Sequence, residues 1–94
     1  MPRRVLVVED NPVNLELVTF LLELEGCEVT ATDRGEQALE LARACRFDLI
    51  VMDVELPGMS GYETTRRLKA DPATAGIPVI VVTAQAMREE EARA

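Results

Sequence analysis

Four oxygen-bearing side chains follow directly on three aliphatic runs in this sequence: Glu9 and Asp10 after Val5–Val8, Asp53 after Leu49–Met52, and Thr83 after Val79–Val82. Carboxylates gathered in one cleft repel one another, so either some of them protonate or a cation sits among them. A cluster of hard oxygen donors favours magnesium, which keeps several waters and often completes its shell with phosphate oxygens. Such a pocket leaves one carboxylate free to attack phosphorus. Taken singly, an acid after a strand is a helix cap or a solvated loop end, and Asp10 alone reads as no more than the residue before an Asn11 cap. Taken together, the acid pair, Asp53 and Thr83 fall at one edge of successive inner strands, which capping does not explain. A flavin or other nucleotide site at that edge is disfavoured. No glycine-rich phosphate loop follows Val8, and Glu9 and Asp10 repel an uncompensated phosphate.

The elements that must position these side chains are legible in the pattern. The three aliphatic runs are unbroken by polar residues, as in strands buried on both faces of a parallel sheet covered by helices. The segment from Cys27 to Thr32 alternates Cys27, Val29 and Ala31 with Glu28, Thr30 and Thr32, which predicts a half-exposed edge strand. Asn11 before Pro12, Asp33 with Glu36, and the capping box of Ser60 with Glu63 mark three helix starts. The helix from about Asp33 to Arg46 carries an apolar stripe of Ala38, Leu41, Ala42 and Cys45, and the next a thinner one of Tyr62, Thr65 and Leu68. In the first helix Val13, Leu17, Phe20, Leu21 and Leu24 fill one arc and Leu15, Val18 and Leu22 a second, so cover is expected on two sides. A fourth helix is expected around Gln85 to Ala94. The alternation β-α-β-α-β-α-β-α implies right-handed crossovers and a doubly wound parallel α/β sheet. Ligands of such sheets bind beyond the carboxyl ends of the strands, where strand order reverses. If the first and third strands are neighbours there, Asp10 and Asp53 converge with Glu9 close by.

Composition narrows the function. The chain has 94 residues, 48% of them apolar, enough for one domain and one core. A formal charge of −7 without a basic and aromatic cluster argues against direct nucleic-acid binding, and leaves proteins or cations as partners. The longest apolar runs are four residues, too short to span a membrane or to form a secretory signal, so a cytoplasmic setting is expected. Cys27 and Cys45 fit neither a disulfide framework nor a zinc motif, and read as small buried apolar residues. The last helix stops without a capping glycine or a following strand, so the chain is expected to be cut short after Ala94.

The succession Val5-Leu-Val-Val-Glu9-Asp10-Asn11, then Asp48-Leu-Ile-Val-Met-Asp53-Val-Glu-Leu-Pro57-Gly58-Met59-Ser60-Gly61, then Ile77-Pro-Val-Ile-Val-Val-Thr83-Ala84 resembles the receiver domain of bacterial two-component response regulators, from Arg4 to about Arg93. The resemblance implies a flavodoxin-like fold of strand order 2-1-3-4-5, of which (βα)4 is expected within residues 1–94. It implies Asp53 as phosphoacceptor, Glu9 and Asp10 as the acidic magnesium pair, and the backbone carbonyl of Glu55 completing the metal shell. Thr83 is implied as the hydroxyl that turns toward the phosphoryl group. A histidine kinase or histidine phosphotransfer protein is the implied donor, and the domain is a switch rather than a turnover enzyme. The family's fifth-strand lysine and aromatic residue have no counterpart up to Ala94, and Lys69, on the third helix, is expected to face solvent. Glu55 is also expected to tune dephosphorylation. Two other readings stand beside this one: a phosphorylation-independent receiver-like interaction module, and a magnesium-dependent phosphatase with an aspartyl nucleophile. An open edge on the fourth strand further predicts a homodimer or domain swap.

Overall fold

The computed structural model describes residues 2–82. Strands and helices alternate along them: β1 (Arg4–Val8), α1 (Pro12–Leu24), β2 (Glu28–Thr32), α2 (Gly35–Ala44), β3 (Leu49–Asp53), α3 (Gly61–Ala70) and β4 (Val79–Val82). All pairings are parallel and the strand order is β2-β1-β3-β4, the expected doubly wound arrangement, with β2 at an edge. Register aligns Val8 with Met52, so the residues that end β1 and β3 reach the same level. Thr83 and the fourth helix expected around Gln85 to Ala94 lie outside the described residues.

The sheet sorts its side chains by parity. Leu6 and Val8 of β1 and Ile50 and Met52 of β3 pack with Ala38 and Ala42 of α2, Leu68 of α3 and the buried Phe47. Fully burying an aliphatic side chain of this size contributes about 1.5–3 kcal/mol. Right-handed crossovers place α1 on the opposite face, over β1 and β2. There Leu15, Val18 and Leu22 are half-buried, while the outer arc of Val13, Leu17, Phe20, Leu21 and Leu24 is exposed. The two-sided cover expected for α1 is therefore found on one side only among the described residues.

Several local expectations change in three dimensions. The N-cap of α2 is Arg34 rather than Asp33, and it caps without its side chain. The turn is instead tied by Thr32, whose hydroxyl donates to Gln37 Oε1 at 2.5 Å and accepts from the Arg34 N–H. That role explains why Thr32 is buried and Ala31 exposed, the reverse of the alternation expected for β2. On α3 the buried residues are Gly61, Thr64 and Leu68, and Tyr62 is 64% exposed, because the helix turns its glycine face toward β3. Ser60 accepts from the Glu63 N–H as a cap should, but the Glu63 carboxylate turns to Arg66 and Arg67 instead of closing a capping box. β4 is not buried on both faces, since Ile80 is 50% exposed on a strand that ends the sheet among the described residues. Cys27 and Cys45 are half-buried rather than buried. Lys69 is exposed as expected, and donates to the carbonyls of Ala75 and Ile77.

Candidate functional site

β1 delivers Glu9 and Asp10, and β3 delivers Asp53, at the carboxyl edge of the two central strands. One carboxylate oxygen from each lies within 4.8 Å of the others. Glu9 and Asp53 are each 7% exposed, whereas Asp10 stands open to solvent. The cleft is thus dry at its floor and wet at its rim.

Backbone hydrogen bonds fix each acid. The Glu9 N–H donates to the Thr32 carbonyl at 3.0 Å, extending β1 one step past its last paired residue. Glu9 Oε1 accepts the Asn11 N–H at 3.0 Å, and Asn11 Oδ1 accepts from Val13 and Asn14 to cap α1. Capping therefore falls to Asn11, and Asp10 is left for the cleft. Asp53 Oδ1 accepts the Glu55 N–H at 3.2 Å, which holds the Glu55 backbone beside the carboxylate.

The electrostatics follow from this crowding. Burial, opposed in part by the Asn11 N–H, pushes the Glu9 carboxyl up to about 7, and a hydrogen bond to Asp53 and the charges of Asp53 and Asp10 add to the rise. Protonation of Glu9 is one of the two ways such a cluster relieves itself, and a cation is the other. Three hard carboxylate oxygens in a half-open cleft fit a dication that keeps water on its exposed side. The donor set found at this edge is therefore chemically suited to magnesium.

Of the residues singled out in the sequence, the structure brings Glu9, Asp10 and Asp53 together and keeps the Glu55 backbone at their rim, while Thr83 lies outside the described residues. Gly58, with φ +77°, makes the turn that Pro57-Gly58 suggests. Two contributors carry no signal in charge or periodicity: the Thr32 carbonyl that anchors Glu9, and Gly61, which opens α3 against the backbone of Asp53. For Gly61 one sign was available, a glycine directly after a serine cap, where a helix gains nothing from it. A cavity of about 640 Å³ lined by Phe47, Asp48, Ile77 and Pro78 lies at the amino ends of β3 and β4, the edge opposite the carboxylates.

Known proteins share this arrangement of sequence and fold. The family model for the response regulator receiver domain matches residues 5–94. The polar-differentiation response regulator DivK of Brucella anthropi is 50% identical over 93 residues, which are 99% of this chain and 76% of that protein. DivK of Brucella ovis is 47% identical over the same span. The receiver domain of the sensor histidine kinase PA1611 from Pseudomonas aeruginosa PAO1, which has a magnesium ion coordinated in its active-site cleft, aligns with a TM-score of 0.86 at 36% identity, covering 98% of this chain and 75% of that one. The phosphorylated cyanobacterial phytochrome response regulator RcpA aligns with a TM-score of 0.82 at 30% identity, over 88% and 66% of the two chains. With the family model over residues 5–94, a relative at 50% identity and three acids meeting at the carboxyl edge of its central strands, this chain belongs to the response regulator receiver domains of two-component signalling.

Proposed function

We propose that the chain is a phosphorylation switch that takes a phosphoryl group onto Asp53 from the phosphohistidine of a histidine kinase or phosphotransfer protein. The observation that carries this reading is the convergence of Glu9, Asp10 and Asp53 within 4.8 Å. Glu9, Asp10, Asp53 and the Glu55 carbonyl would hold magnesium, which offsets charge on the phosphoryl oxygens.

The chain's own residues do the rest. The Glu55 N–H holds Oδ1 of Asp53, which leaves Oδ2 as the attacking atom. Its electron pair forms the new O–P bond as the N–P bond of the phosphohistidine breaks, and the imidazole leaves and takes up a proton. The product is an acyl phosphate, a new dianion at the mouth of the cleft. The Thr83 hydroxyl is the donor proposed to turn toward it, and the shift between two surface states is the output. The domain acts in the cytoplasm as a phosphoacceptor and not as a turnover enzyme. A second copy is a further proposed partner, through β4, which ends the sheet among the described residues and carries the half-exposed Ile80. A clean monomer in light scattering at all concentrations would exclude it.

Incubation with acetyl phosphate and magnesium tests the main reading. The expected product carries one added phosphoryl group, loses it to hydroxylamine, and is not formed by Asp53→Asn. Continuous phosphate release from many substrates would indicate a phosphatase instead, and absence of any adduct would indicate an interaction module.

A further inference from the structure

The backbone just past Asp53, the 53–54 peptide and the Val54 carbonyl after it, is held on three sides. The Val54 N–H donates to the Val82 carbonyl at 3.1 Å, and the Val54 carbonyl accepts the Gly61 N–H at 3.0 Å. On the third side lies the Cα of Gly61, the first residue of α3 after the Ser60 cap. A Cβ added there would sit 2.8 Å from both the Asp53 carbonyl carbon and the Val54 Cα, and closer still to the Asp53 carbonyl oxygen. Side-chain carbons essentially never approach other atoms within 3.0 Å, and here the obstacle is backbone, which cannot rotate away. The negative φ of a first helical turn makes no demand for glycine at this position, and among the described residues only Gly26 and Gly58 have positive φ. Proximity is therefore the reason that fits.

We propose that Gly61 is a positioning residue for the phosphoacceptor: its bare Cα lets the start of α3 press on the 53–54 peptide and so sets where the Asp53 carboxylate meets Glu9 and Asp10. This rests on the reading of Asp53 given above. Any side chain at 61 must push either α3 outward or the Asp53 backbone toward the cleft. A displacement of about 1 Å at a reacting group is enough to cost on the order of 100-fold in rate.

The test compares wild type, Gly61→Ala and Leu68→Ala, the last being a core truncation at the far end of α3 that lowers stability without touching the 53–54 peptide. Three quantities are read on folded protein. They are magnesium affinity by titration with the metal alone, the rate of phosphorylation by acetyl phosphate, and amide exchange of Val54 and Gly61 in metal-free protein. Gly61→Ala is expected to lose about 100-fold in rate per folded molecule, to bind magnesium more weakly, and to lose protection at both amides. Those defects should persist on cooling, where Leu68→Ala regains wild-type values. Wild-type rate, affinity and protection in folded Gly61→Ala would overturn the proposal, as would defects that vanish on cooling. If Gly61→Ala does not fold, Gly61→Ser combined with a stabilising osmolyte is read the same way, and failure of both to fold assigns the residue to stability alone. A wild-type chain that neither binds magnesium nor accepts phosphate defeats the underlying reading of Asp53 instead, and the amide exchange still reports whether Gly61 holds the peptide.

Discussion

The two faces of the sheet are built to different standards. Under α2 and α3, Leu6, Ile50, Met52 and Leu68 are wholly excluded from solvent. Under α1 the strand residues Val5 and Val7 are equally buried, yet no residue of α1 itself is, and five of its large apolar side chains stand exposed. The difference teaches that burial of a strand and burial of the helix above it are separate achievements. α1 covers β1 with its inner arc of Leu15, Val18 and Leu22, and its outer arc has no neighbour among the described residues. Among the described residues, the helix side chains that are fully buried therefore lie on the α2 and α3 side.

Four measurements probe that contrast. Leu68→Ala empties a site with no solvent access and should destabilise by about 2–5 kcal/mol in urea unfolding. A smaller loss would mean that this face can collapse around a void. Glu9→Gln should come next, through pH. The folded-state value of Glu9 lies above its ordinary 4.5, at about 7. Below 4.5 both folded and unfolded chains hold the proton, so there is no penalty. As pH rises toward 7 the unfolded chain ionises first, and metal-free stability falls by roughly 1–3 kcal/mol, a loss that is complete above the folded value. Glu9→Gln should flatten that slope, and an unchanged slope would assign it to another group. Asn11→Ala removes the α1 cap and should cost about 1 kcal/mol, with faster exchange of the Val13 and Asn14 amides as the local sign. Phe20→Ala, on the exposed arc, should change stability by no more than about 0.5 kcal/mol. A loss matching that of Leu68→Ala would show that the outer arc is covered in solution and would erase the contrast between the faces.

Sheet class was legible in the unbroken aliphatic runs, and the meeting of Glu9, Asp10 and Asp53 in what stands at their ends, once the family resemblance implied that the first and third strands are neighbours. Parallel strands of four or five residues bring their terminal side chains to one edge whatever the loops do. What did not follow from pattern is which partner each side chain takes once the elements are in place. Thr32 looked like the outward member of an alternating strand, but its hydroxyl found Gln37 and went inside. Tyr62 matched the helical period, but the helix rotated to lay Gly61 against β3, which no periodicity reports. Glu63 had the right spacing for a capping box and was drawn away by two arginines on its own helix. In each case a local preference worth under about 1 kcal/mol yielded to a tertiary or charged contact.

Glu9 has a second attachment outside the cleft. The carboxyl group that is hydrogen-bonded to Asp53 also carries, through Oε1, the amide of Asn11, the residue that caps α1. Strand end, cleft carboxylate and helix origin are thus linked through one side chain. Gain or loss of the Glu9 proton changes how strongly that oxygen can hold the amide, so the turn between β1 and α1 is a place where the charge of the cleft becomes visible in the backbone.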